Sequence, residues 1–264
     1  MMRDRFTIDH RMSFTSYLAL SAKRLIRGAA DPFVSRFDSD LTSVFVVGCG
    51  HSGTTLVAGK ISRLYGCYCA SWETNAFHPD VGLYWSKAVY GTLMQVAKGI
   101  GASVLVEKTP KHVHCQMRIL RLLPAAKFVV VVRNPLDTCA SLFRRFGSLD
   151  FAIERWNIDN AAALEVAAAR SSKLVRYEEL VSNPQSEFSS IASFSGLSWF
   201  AEAAEGGVTA FRADDSSGPN MMLRSLQVAQ PIEARVNVWH GVLTPAMADE
   251  VTARTRRVAA ALGY

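Results

Sequence analysis

Several short stretches of this chain carry residue types suited to holding an anion. The first is Gly48-Cys49-Gly50-His51-Ser52-Gly53-Thr54-Thr55. Gly48 and Gly53 have the Gly-x-x-x-x-Gly spacing of a nucleotide-binding P-loop, where backbone N–H groups and a helix N-terminus converge on a phosphate. In the nucleotide-hydrolysing form of that loop the next residue is a Lys that reaches the terminal phosphates. Here it is Thr54, followed by Thr55. The loop therefore suits one 5′-phosphate, held by amides and two hydroxyls, better than a nucleoside triphosphate and its Mg²⁺. An ordinary glycine turn between a strand and a helix has the same spacing.

The second stretch is Arg133-Asn134-Pro135, with Ser141 eight residues beyond the Arg. Arg133 leaves a very apolar run and Ser141 falls within the next helix. An Arg at a strand end and a hydroxyl on the following helix can clamp a second phosphate, away from the glycine loop. Glu107-Lys108-Thr109-Pro110 and Tyr177-Glu178 follow two further apolar runs. His78, His112 and His114 lie near the same segments, where structural roles explain them as well. Trp72, Tyr84 and Trp85 are candidates for stacking an acceptor ring, and equally for core packing.

These residues need elements that bring them to one rim. Residues 44–47 read as a buried strand that stops at the glycine loop, and an apolar-periodic helix follows from Leu56 to Leu64. Further strands are predicted over 67–71, 103–106, 128–132 and 173–176. Helices are predicted over 81–99, 111–123, 135–145 and 151–170, and from Pro245 to Leu262, with Thr244 as cap. Residues 206–231 read as a long loop, rich in Gly, Asp, Ser and Pro. Strands alternating with helices predict an α/β fold, a P-loop-type central parallel β-sheet flanked by helices. In such sheets ligands sit beyond the carboxyl ends of the strands. The glycine loop, Lys108, Arg133 and Tyr177 all fall there.

The chain has 264 residues, enough for one large domain, and a net charge of +6. Its pI of about 9.2 favours an anionic ligand or surface. Its five cysteines lack the density of a disulfide scaffold and suggest reduced thiols in the cytoplasm. Cys67-x-Cys69 lacks a common zinc spacing. No segment has the ~18 apolar residues of a membrane span. Residues 1–40 read as a basic, helical N-terminal extension. Its helix over 16–26 is expected to pack on the domain edge, with contact to an acidic membrane surface as the alternative.

Together, these segments resemble the sulfotransferases that use 3′-phosphoadenosine 5′-phosphosulfate (PAPS). Gly50-His51-Ser52-Gly53-Thr54-Thr55-Leu56 is similar to their 5′-phosphosulfate loop, and Val129 to Ser141 to their 3′-phosphate segment. Arg176-Tyr177-Glu178-Glu179-Leu180 and Asn183-Pro184 are also familiar there. The nearest resemblance is to the tyrosylprotein-sulfotransferase branch. It rests on Glu73-Thr74, Glu107-Lys108-Thr109-Pro110, Ser225-Leu226-Gln227-Val228, Pro231, Trp239 and the terminal Leu262-Gly263-Tyr264. The chain departs from the pattern at His51, where the family has Lys or Arg. It departs again at Val238, where the branch has Lys; Arg235 lies one helical turn earlier.

The resemblance implies a single sulfotransferase domain over 41–264, with PAPS as co-substrate, 3′,5′-ADP (PAP) as product and no metal. It implies Glu73 as the base, with Glu107 as rival, and Lys108 and His51 as charge-stabilising donors. Gly50, His51, Ser52, Gly53, Thr54 and Thr55 would hold the 5′-phosphate. Arg133, Ser141 and Ser225 would hold the 3′-phosphate. The acceptor stays open among a tyrosyl peptide, a carbohydrate, a lipid and a small molecule. Nucleic acid is not an expected partner, and a homodimer is compatible with the sequence. A P-loop small-molecule kinase and a non-catalytic anion-binding module are the other functions these residues allow.

Overall fold

The computed structural model describes residues 2–3, 11–29, 31–200 and 235–264. Two short strands, β1 (Met2–Arg3) and β2 (Arg11–Met12), pair antiparallel near the N-terminus. The main sheet has five parallel strands: β3 (Thr42–Gly48), β4 (Cys67–Cys69), β5 (Val104–Lys108), β6 (Lys127–Val132) and β7 (Ser172–Arg176). Their order is β4-β5-β3-β6-β7. The chain fills one side of β3 with β4 and β5 and then crosses to the other with β6 and β7, which makes the carboxyl end of β3 the switch point where such sheets bind ligands.

Strands buried on both faces read as continuous apolar runs, and β3 and β6 do so. Phe45, Val47, Phe128 and Val130 face one layer, built with Tyr90, Leu93, Ile119, Ala140, Trp156 and Val251. Val44, Val46, Val129 and Val131 face the other, built with Val57, Ile61, Phe188 and Ile191. The first layer draws on helices α3 (Gly82–Gly99), α4 (Gln116–Leu122), α5 (Pro135–Phe146), α6 (Leu149–Ala167) and α9 (Pro245–Leu262). The second draws on α2 (Thr54–Ile61) and α8 (Pro184–Ser195).

The single helix expected over 111–123 is divided. A 3-10 turn spans Pro110–His114, and α4 begins only at Gln116. The tighter turn eclipses positions three apart. Lys111 and His114 thereby both reach the Asp159 carboxylate, each at 2.8 Å. Short helix α7 (Tyr177–Ser182) and α8 follow β7 where no apolar period had marked them. The loop expected over 206–231, Ser225 included, lies outside the described residues.

Helix α1 (Phe14–Gly28) lies against the domain edge. Arg24 pairs with Asp80 at 2.6 Å, and Asp31 accepts from the Leu83 N–H at 2.6 Å. Leu25 and Ile26 remain exposed on its outer side. Among the described residues, no helix is long and apolar enough to cross a membrane.

One glycine is required where β3 leaves the sheet. Gly48 has φ 145°, and a Cβ there would collide with the Val131 carbonyl oxygen. Both the backbone and the neighbouring strand resist a side chain. Gly48→Ala is expected to lower stability by about 2–5 kcal/mol, the sum of backbone strain and overpacking. Denaturant titration checks this; an unchanged midpoint would show that the strand ends part at little cost.

Candidate active site

The glycine loop is closed by its own residues. The Ser52 hydroxyl sits 2.6 Å from the Cys49 carbonyl and 3.0 Å from that of Val131. It thus ties the loop to itself and to β6. The chain turns at His51, with φ 71°, and again at Gly53, with φ 101°. The Tyr177 ring packs so closely on Gly53 that an added Cβ would meet it at 2.6 Å. Gly53 caps α2 without a side-chain hydrogen bond. The first amides of α2 are left for an anion, reinforced by the helix dipole. Thr54 is buried and Thr55 half-buried beside them.

The Arg133 segment meets this loop directly. One Arg133 terminal nitrogen donates to the His51 carbonyl at 3.3 Å, and the other to the Arg235 carbonyl. The guanidinium stacks on the Tyr177 ring at 4.3 Å. His51 Nδ1 lies 2.8 Å from the Ser141 hydroxyl. The two clamps expected apart therefore share a boundary at His51. Arg133 Nε is buried and, among the described residues, has no hydrogen-bond partner. A desolvated guanidinium N–H of this kind is costly until an acceptor arrives.

The motif after β7 holds this corner together. Glu178 accepts from the Asn134 N–H at 2.8 Å and from the Tyr264 hydroxyl at 2.8 Å. Arg176 donates to the Gly263 carbonyl at 2.9 Å. Asp137 accepts from the Asn237 and Trp239 N–H groups, at 2.9 and 3.1 Å, and so fixes residues 237–239 against α5. Arg235 reaches the site through its carbonyl, and its side chain is exposed.

On the other side of β3, Lys108 ends β5 opposite Val46. Its ammonium is fully buried and pairs with Glu73 at 2.8 Å, while 28% of the Glu73 side chain stays accessible. A partly open carboxylate held beside a buried cation can reach a ligand at the rim. Glu107 is used differently. One of its oxygens accepts from Thr74 at 2.7 Å and Thr109 at 2.6 Å, and the other meets His112 Nδ1 at 2.8 Å. His112 Nε2 accepts from the Phe77 N–H at 3.2 Å, so the Nδ1 proton is the one donated to Glu107. Burial alone would raise the Glu107 pKa. Its partners His112, Thr109 and Thr74 outweigh burial and hold it below the ordinary carboxylate value.

The spacing gave no hint of a further buried cluster. Asp159, on α6, accepts from Lys111 and His114 at 2.8 Å and from Arg155 Nε at 3.3 Å. Burial would raise its pKa, but Lys111, His114 and Arg155 outweigh that and hold it well below the carboxylate range. Arg155 in turn lies over Gly50 of the glycine loop. Arg155 and Asp159 sit at i and i+4 on a helix, a spacing that reads equally as a surface ion pair.

The arrangement offers an anion a glycine cradle at α2, a buried Arg133 whose Nε has no partner among the described residues, and a Lys–carboxylate pair nearby. The family model "Sulfotransferase family" matches residues 73–201. Over those residues, just under half of the chain, it is similar to the sulfotransferase family. It is 25% identical, over 200 residues, to protein-tyrosine sulfotransferase 2 of Gallus gallus. That alignment covers 62% of this chain and 53% of the relative, so the chain spans about half the length of the curated protein it matches. Solved sulfotransferase structures share the fold. The domain from the Synechococcus PCC 7002 olefin synthase gives TM-score 0.57 at 18% identity, over 89% of this chain and 98% of that one. The domain from the curacin biosynthetic pathway gives 0.55 at 17%, over 87% and 99%. A mouse sulfotransferase in complex with PAP gives 0.51 at 17%, over 93% and 95%.

Proposed function

We propose that this chain is a sulfotransferase that moves a sulfuryl group from PAPS to an acceptor hydroxyl or amine. The observation that carries the reading is the contact at His51. There the glycine loop, which suits a 5′-phosphate, meets Arg133 and Ser141, which suit a second phosphate on the same nucleotide. When bound, the donor supplies an activated sulfuryl group and departs as 3′,5′-ADP. The amides of Gly53, Thr54 and Thr55 hold the 5′-phosphate. Arg133 and Ser141 hold the 3′-phosphate, and Tyr177 keeps the Arg133 guanidinium flat against it.

Glu73 takes the proton of the acceptor, and Lys108 orients that carboxylate while placing positive charge at the rim. His51, in contact with Ser141 through Nδ1, stands at the loop position where the family has Lys or Arg and supplies a ring N–H donor toward the phosphosulfate. Similarity to the tyrosylprotein branch makes a tyrosyl peptide the first acceptor to try, ahead of carbohydrates, lipids and small phenols.

The reading predicts that 3′,5′-ADP binds far more tightly than 5′-ADP. Arg133→Ala removes a charge-assisted contact of about 1.5–3 kcal/mol, which weakens 3′,5′-ADP about ten- to a hundredfold. It should leave 5′-ADP nearly unchanged. Calorimetry with both nucleotides checks this, and equal affinities in the wild type would overturn the two-clamp reading. Transfer of radiolabelled sulfate from PAPS onto the acceptor panel then tests the reaction.

A further inference from the structure

We infer that Arg155 is a donor-binding residue that contacts the sulfuryl end of PAPS, with Asp159 as the residue that positions it. The inference rests on the PAPS reading and adds a contact from the opposite face of the sheet. Arg155 is only 8% exposed. Its Nε is bound to the fully buried Asp159 at 3.3 Å. Asp159 is bound through Nε and not through the two terminal nitrogens. One of them lies so near Gly50 that a Cβ there would stand 3.1 Å from it. A guanidinium has five N–H donors in a fixed fork suited to a tetrahedral oxyanion. With Nε anchored on Asp159 and the guanidinium held beside the loop at Gly50, this side chain is prepared for an anion at the loop.

The position of Arg155 selects which part of the donor it meets. The 5′-phosphate belongs to the amides at the start of α2, on the face of the sheet lined by Val57 and Ile61. Arg155 approaches from the other face, beside Trp156 in the opposite core layer. It reaches the loop at Gly50, at the strand end of the loop rather than the helix end. Lys108 stands at the end of β5, whose neighbour in the sheet is β3. A group that extends from the phosphate over the strand ends passes between Lys108 and Arg155. Asp159 holds Arg155 there and also binds Lys111 and His114 of the turn after β5, so the arm is locked to the Lys108 segment. Three donors on one buried carboxylate leave the cluster positively charged, which favours the doubly anionic phosphosulfate.

The test compares PAPS with 3′,5′-ADP, which lacks only the sulfuryl group. Both are titrated calorimetrically into the full chain without acceptor, for wild type, Arg155→Ala and Arg155→Lys. Arg155→Ala should weaken PAPS about ten- to a hundredfold and leave 3′,5′-ADP within about threefold. Arg155→Lys keeps the charge without the fork, so it should weaken PAPS about three- to tenfold, again sparing 3′,5′-ADP. It also serves as the measurement if Arg155→Ala does not fold. Equal losses for both nucleotides, or no loss for either, would overturn the inference while leaving the PAPS reading in place. A wild type that binds neither nucleotide would instead remove the PAPS reading and the inference with it.

Discussion

Glu73→Gln should lose sulfuryl transfer by at least about a hundredfold, the usual scale of a lost general base. It should keep 3′,5′-ADP affinity close to that of the wild type. The glutamine preserves shape and can still accept from Lys108, but it cannot take a proton at neutral pH. The geometry separates the two candidate carboxylates. Glu73 pairs with Lys108 and keeps a solvent-facing edge. Glu107 has no exposed surface, and Thr74, Thr109 and His112 occupy its two oxygens. Through Thr74 and Thr109 it fixes residues 74–76, since Thr74 Oγ1 accepts from the Ala76 N–H at 3.1 Å and Thr109 Oγ1 from that of Asn75 at 3.3 Å. Glu107→Gln should therefore act on stability first, and on transfer only through the placement of Glu73. Single-turnover rates and melting curves for both variants decide this. An active Glu73→Gln beside a folded but inactive Glu107→Gln would move the base to Glu107.

The sheet was legible because β3 and β6 are buried on both faces, and only uninterrupted apolar runs satisfy that position. The glycine loop was legible because a φ of 145° at Gly48 excludes other residues. The chemistry was less so. Ser52, expected at the phosphate, has its hydroxyl between the Cys49 and Val131 carbonyls, and no local pattern distinguishes those two uses of a loop serine. The Glu73–Lys108 pair joins residues 35 apart in sequence, so resemblance suggested both residues but no spacing suggested their contact. The division of the 111–123 helix depends on carboxylates outside it, Glu107 and Asp159. Local propensity carries no trace of such partners. Arg155 stayed hidden for the same reason, since what marks it is the distant Gly50.

Asp159→Asn is expected to cost about 3–5 kcal/mol of stability, the scale for breaking a buried ion pair by removing one partner. The substitution leaves Lys111 and Arg155 largely buried with no carboxylate between them. It also loosens the turn after β5 from α6, because Lys111 and His114 both depend on that oxygen. The loss should depend on pH in a defined direction. The folded-state pKa of Asp159 is depressed below its unfolded value, so the ionised form favours folding. Its contribution is fully present above the unfolded carboxylate value of about 4, and disappears as pH falls below that toward the folded-state pKa. Wild type and Asp159→Asn should therefore keep a large gap down to about pH 5 and converge as pH falls below about 4. Urea titrations across that range read the gap directly. A gap that is small at pH 7, or that does not shrink as pH falls below about 4, would show that Asp159 is not ionised in the folded protein.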